Sequence, residues 1–193
     1  IDLLMAYLGK LYYVCMLSAA ELLGVAHQRP QKFSVMTTYP RRQLVTTRNV
    51  TTDWFYRDTF PEDALVIKNT ETGTIRISNS LLTAADLVQS QQHVGGLSRV
   101  ATILEELTEQ IDIDSQLPTL IPFVKTVTWQ RLGYLFENVI EDKETADKLY
   151  EQLRASSARM VYKPLSTSAE DNPSVRDSRW KININVEIET DDI

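Results

Sequence analysis

The chain has 193 residues, 43% of them hydrophobic and 24% charged, with a formal net charge of −6. That length allows a large apolar core without staples, and the one cysteine, Cys15, excludes an intramolecular disulfide, which fits a reducing, cytoplasmic compartment. No run approaches the ~20 apolar residues that a spanning helix needs, so a membrane role is not expected. The opening stretch carries Asp2 and polar breaks and lacks the basic start of a secretory leader. Charge is uneven: residues 1–60 hold seven basic and four acidic side chains, a balance of +3, and the remainder carries −9. A mildly basic front suits nucleic acid or an acidic partner.

In chain order, a first helix is expected from about Asp2 to a break at Gly9, and a second over 12–23. In the second, Tyr13, Leu17, Ala20 and Leu23 recur at helical spacing. Cys15 falls inside this helix as a small buried side chain. Gly24 supplies the left-handed stop, and Pro30 cannot continue a helix. Phe33, Val35 and Thr37 alternate as a strand does, and further strands are expected over 43–47, 53–56, 64–69 and 74–77. The last two flank the glycine-containing loop 70–73 and read as a hairpin. Ser78, Asn79 and Ser80 are N-cap types ahead of a helix with Leu82, Ala85 and Val88 on one side.

Gly95 and Gly96 end that region, and a helix opening near Ser98 places Val100, Ile103, Leu104 and Leu107 inward. Pro118 and Pro122 read as punctuation. Amphipathic helices follow over 128–139, with Leu132, Leu135, Phe136 and Val139 inward, and over 144–155, with Ala146, Leu149, Tyr150 and Leu153 inward. A short strand is expected at 161–162 and a polar loop or linker over 166–177. Residues 180–188 alternate cleanly enough to read as a strand, with a fraying acidic tail behind them. Strands first, helices next and one last strand argue for an α+β fold: a mixed sheet built from an N-terminal strand cluster plus the C-terminal strand, packed with a run of helices. One domain over 1–193 accommodates this order.

The catalytic inventory is thin. His27, His93 and Cys15 are the whole set of histidines and cysteines, too few for a four-ligand zinc site. No phosphate-cradling glycine loop or nucleophile elbow occurs, so no catalytic residue, metal or cofactor is assigned. His27 reads as a donor at a helix end. A metal-dependent nuclease of the PD-(D/E)xK type needs an acid two positions before a strand lysine. Val66 stands at that position before Lys68, and Glu141-Asp142-Lys143 falls between helices. The better signal is the basic group Arg29, Lys32, Arg41, Arg42 and Arg48, with Tyr39 nearby, as candidate phosphate contacts. The adjacent Trp54, Phe55 and Tyr56 point to both faces of a strand and read as core or interface. Gly133, inside a helix, indicates close approach of another element. Arg131 is a candidate partner for an acid, and Arg176 and Asp177 could tie the loop to Trp180.

The run YYVCMLSAAELLGVAHQRPQ over 12–31 resembles the opening of the C-terminal domain in the AbiEi family of antitoxins and transcriptional regulators. Four later blocks are similar to that family in the same order: ISNSLLTAADLV, HVGGLSRVATILEELTEQID, WQRLGYLFE and RDSRWKININVEIE. The resemblance implies the non-enzymatic antitoxin of a type IV toxin–antitoxin system, abortive-infection type, in a bacterial cytoplasm. It implies opposition to a nucleotidyltransferase-like toxin without a stable complex. It also implies a winged-helix head that binds promoter DNA, which does not occur in these residues; the Ile1 start is expected of a truncated chain. Two alternatives stay open, a degenerate nuclease-like domain and an oligomerisation module that forms a homodimer.

Overall fold

Two glycines organise residues 1–25 of the computed structural model, which describes residues 1–25, 30–41, 51–71 and 73–189. Gly9 and Gly24 adopt left-handed φ values of 61° and 86°, a conformation that costs a residue with a Cβ about 1 kcal/mol or more. Gly9 closes helix α1 (Asp2–Leu8) and Gly24 closes helix α2 (Met16–Leu23). Between them lies a strand, β1 (Tyr12–Val14), where a continuous helix over 12–23 was expected. All three of its residues are buried, so the run carries no polar alternation to mark it as a strand. Aromatic and β-branched side chains favour extended backbone there. Cys15 consequently sits at the strand–helix junction, fully buried, rather than inside a helix.

The main sheet is mixed, with strand order β3-β2-β1-β5-β4. Its other strands are β2 (Phe33–Thr38), β3 (Thr52–Arg57), β4 (Leu65–Thr70) and β5 (Gly73–Ser78). β1 runs antiparallel to β2, pairing Tyr13 with Met36, and parallel to β5, pairing Val14 with Ile77. β2 and β3 are parallel, and β4–β5 is the expected hairpin. The strand expected over 43–47 lies outside the described residues.

β1 divides its side chains between two cores. Tyr12 and Val14 join Met5, Val35, Ile75 and Ile77 under α1. Tyr13 faces the larger core on the other side, built on helices α3 (Ser80–Gln89), α4 (Leu97–Thr108), α5 (Ile113–Leu120), α6 (Thr126–Asn138) and α7 (Lys143–Ala155). Asn79 caps α3 through the Leu82 N–H at 2.9 Å. The inward residues expected for α4, α6 and α7 are buried or packed against this core. α5 escaped the sequence reading because Pro118 lies within it. Proline there forfeits one ladder bond, and Asp112 compensates at the start by capping the Ser115 N–H at 3.4 Å.

The α+β class and the mixed sheet match expectation, but the C-terminal strand does not join that sheet. It shortens to β8 (Ile182–Asn183), held between β6 (Lys163–Pro164) and β7 (Arg176–Asp177) in a small second sheet. The short strand expected at 161–162 is displaced to β6. Period-2 alternation over 180–188 reflects burial of Trp180 and Ile182 together with partial burial of Ile184, Val186 and Ile188, not ladder pairing.

Trp180 is fully buried and is the reason α6 carries a glycine. A Cβ on Gly133 would lie 2.1 Å from Trp180 ring atoms, far inside van der Waals contact. The Trp180 backbone carbonyl accepts from Gln130 Nε2 at 2.7 Å, its N–H donates to Asp177 Oδ1 at 2.6 Å, and its ring N–H donates to Glu137 Oε2 at 2.5 Å. Asp177 therefore does tie the loop to Trp180 as expected, while Arg176 lies over the Tyr162 ring at 5.0 Å. Arg131 takes no acid: Nε and Nη2 both donate to the Pro164 carbonyl, at 3.0 and 2.9 Å. Helix propensity alone would make Gly133→Ala stabilising by about 1 kcal/mol. The clash reverses the sign, and we expect a net loss of about 2 kcal/mol in denaturant unfolding. Trp180→Leu in the Gly133→Ala background should recover part of that loss relative to the two single substitutions.

Candidate functional site

A polar chain crosses the larger core beneath the sheet. Tyr13 Oη donates to Asp86 Oδ2 at 3.0 Å, and Arg57 Nη1 donates to Tyr13 Oη at 2.8 Å. Arg57 Nη2 reaches the Phe123 carbonyl at 2.8 Å, joining the end of β3 to the segment before α6. β1, α3 and β3 supply one member each, so the network fixes the sheet against the helices. Tyr13 and Asp86 are buried, and a buried hydroxyl or carboxyl without partners would cost several kcal/mol. Burial is the main cause of Asp86's raised pKa, about 7, with the Arg57 charge and the Tyr13 hydrogen bond opposing it. Burial also pushes the Tyr13 phenol and the Cys15 thiol well above their ordinary values. A thiol so placed is not a nucleophile.

Of the five basic residues singled out, Lys32 and Arg41 are described; Arg29, Arg42 and Arg48 lie outside the described residues, as does His27. Lys32 stands just before β2 and pairs with Asp53 at 3.3 Å. Arg41 follows the other end of β2, its guanidinium 5.4 Å from the Tyr56 ring centroid and 6.0 Å from that of Tyr39. The fold thus separates the two by the length of β2 instead of gathering them. Trp54, Phe55 and Tyr56 are half-buried, Trp54 against the smaller core and Phe55 against the larger, in keeping with the core-or-interface expectation.

The nuclease-like fragments do not assemble into a recognisable centre. Lys68 Nζ donates to the Leu22 carbonyl, and Asp142 caps α7 through the Thr145 N–H at 3.1 Å. Among the described residues no group of three or more His, Cys, Asp or Glu side chains is placed to hold a metal.

A pocket of about 470 Å³ opens at the end of the sheet where β2 and β3 begin, between the start of α2 and the turn linking α3 to α4. Lys32, Asp53, His93 and Arg99 line it with Phe55 and Met16. Sequence reasoning reached Lys32 but not Arg99, Arg57 or Asp86. An isolated arginine after a double glycine carries no signal of what faces it, and an aspartate in an apolar helix face was the visible trace of the buried network.

Residues 12–138 match the family model described as AbiEi antitoxin C-terminal domain. No curated protein matches the chain. Among solved structures, the fold is similar to the crystal structure of the RV2827C protein from Mycobacterium tuberculosis, with a TM-score of 0.62 at 12% identity. The alignment covers 89% of this chain and 61% of that one, so the chain spans less than two thirds of that protein. No helix among the described residues is long and apolar enough to cross a membrane.

The raised pKa of Asp86 fixes a sign for pH dependence. The folded state holds the Asp86 proton up to about pH 7, while the unfolded carboxyl releases it near 4. Stability from this group is complete below the unfolded value and is lost as pH rises through the folded one. Asp86→Asn removes the titration, so the stability of wild type relative to the variant should fall between about pH 4 and 7 and then level off. Thermal melts of both proteins across pH 4–8 measure that difference.

Proposed function

Since this chain belongs to the family of AbiEi antitoxin C-terminal domains, we propose that it is the antitoxic part of a transcriptional regulator in a type IV, AbiE-type toxin–antitoxin system. It works without catalysis and opposes a nucleotidyltransferase-like toxin with which it forms no stable complex. Promoter recognition belongs to a winged-helix head elsewhere in the whole regulator. Arg29, Lys32, Arg41, Arg42 and Arg48 add salt-sensitive phosphate contacts from the basic front of this chain.

The observation that supports this reading is where the family match falls. Residues 12–138 run from the first residue of β1 to the last of α6, taking in the whole main sheet and the buried Tyr13–Asp86–Arg57 network. The family's common part is therefore a sheet-and-helix scaffold. A non-enzymatic role agrees with a network whose carboxyl and phenol face each other in the core rather than a substrate.

Co-expression of this chain with the toxin encoded beside it tests the reading. Growth should recover to near the toxin-free rate, and affinity capture of the toxin should return none of this chain in stoichiometric amount. Continued arrest in cells where the chain is folded and abundant would overturn the assignment of antitoxicity to these residues.

A further inference from the structure

Apart from Lys32, the pocket at the start of β2 and β3 is not used by the antitoxin reading, and its chemistry points to a ligand. Two cations, Lys32 and Arg99, and the imidazole of His93 share it with one carboxylate, Asp53. Lys32 and Asp53 expose 57% and 42% of their side chains, so their ion pair is weak and yields readily to a stronger anion. Arg99 is exposed and makes no hydrogen bond or ion pair among the described residues. Its planar fork matches a phosphate in two-point fashion, while Lys32 adds a point charge.

The other wall is apolar and includes the Phe55 ring, whose centroid lies 5.4 Å from that of His93 with the two planes at 90°. Met16, buried in the pocket wall, holds a φ of 51°, a left-handed value that is strained in a residue with a Cβ. Strain of this kind collects at ligand clamps and persists where neighbours enforce it. A bare inorganic anion would leave most of the 470 Å³ unfilled, whereas cavities of that size accommodate a ring with its substituents.

We propose that this pocket binds a free mononucleotide, its phosphate held by Arg99 and Lys32, its base against Phe55, and a ribose hydroxyl donating to Asp53. Lys32 exchanges its carboxylate partner for the phosphate, and Asp53 exchanges an ammonium for a hydroxyl. No charged group is left without a partner by the exchange. The site shares only Lys32 with the proposed nucleic-acid contacts, and Arg99→Ala tests it without touching them.

Calorimetric titration of the intact chain with AMP, CMP, GMP and UMP tests the proposal, with adenosine and inorganic phosphate as half-ligands. At least one mononucleotide should bind with Kd of about 1 mM or tighter. Affinity should fall tenfold or more in Arg99→Ala and in Lys32→Ala, whose unliganded melting points should stay at the wild-type value because both side chains are exposed. Arg99→Lys should retain part of the affinity, and Phe55→Leu should weaken mononucleotides while leaving phosphate unchanged. Absence of mononucleotide binding, indifference to both charge removals, or adenosine binding as tightly as AMP would each overturn it.

Discussion

Tyr12, Tyr13 and Val14 leave no edge or face to solvent: β2 pairs along one side, β5 adjoins the other, and the two cores take alternate side chains. Placing two tyrosines at the centre of a sheet creates a demand that the rest of the molecule has to meet, because each hydroxyl needs a partner once buried. Tyr12 finds Asp2 at 2.8 Å, which anchors α1 over one face. Tyr13 finds Asp86, which brings α3 to the other face, and Arg57, at the end of β3 in the same sheet. The placement of the helices therefore follows from three residues of strand, through hydrogen bonds as much as through apolar contact.

That arrangement leaves the two ends of β2 chemically different. At its start the backbone turns from Pro30 to Lys32 beside a polar cavity, and at its finish Lys10 binds the carbonyls of Thr38 and Pro40 near the Tyr39, Arg41 and Tyr56 cluster. The exposed cation–ring contacts at the finish contribute little to stability individually and remain available to a partner.

Helices with wide apolar faces were legible in the sequence. α4, with Val100, Ile103, Leu104 and Leu107, and α7, with Ala146, Leu149 and Leu153, carry a 3.6-residue period that only a helix satisfies. The resemblance of ordered blocks located the family. Illegible were elements decided by distant partners. β1 is a strand because β2 and β5 flank it, and its Tyr-Tyr-Val run is too short for its extended preference to show beside the helical spacing that follows. Residues 180–188 show the converse: an alternating pattern produced by the packing of Trp180 and Ile182, with little ladder beneath it. Arg131 was legible as important and not as to its partner, since a carbonyl acceptor leaves no mark in the sequence of the donor. The pocket was half legible, because Lys32 belonged to a basic group while Arg99 met it only in space.

The family match ends at residue 138, yet the groove that Gly133 opens on α6 is filled by a ring from beyond that limit. Glu137, within the match, likewise finds Arg179 and the Trp180 indole outside it. The shared block is thus open along one flank, like a lock shipped without its bolt. With Trp180 seated against α6, position 133 tolerates nothing larger than glycine, however long the loop between them. The bulk of one ring in the tail thus becomes a rule about composition in a helix some distance up the chain.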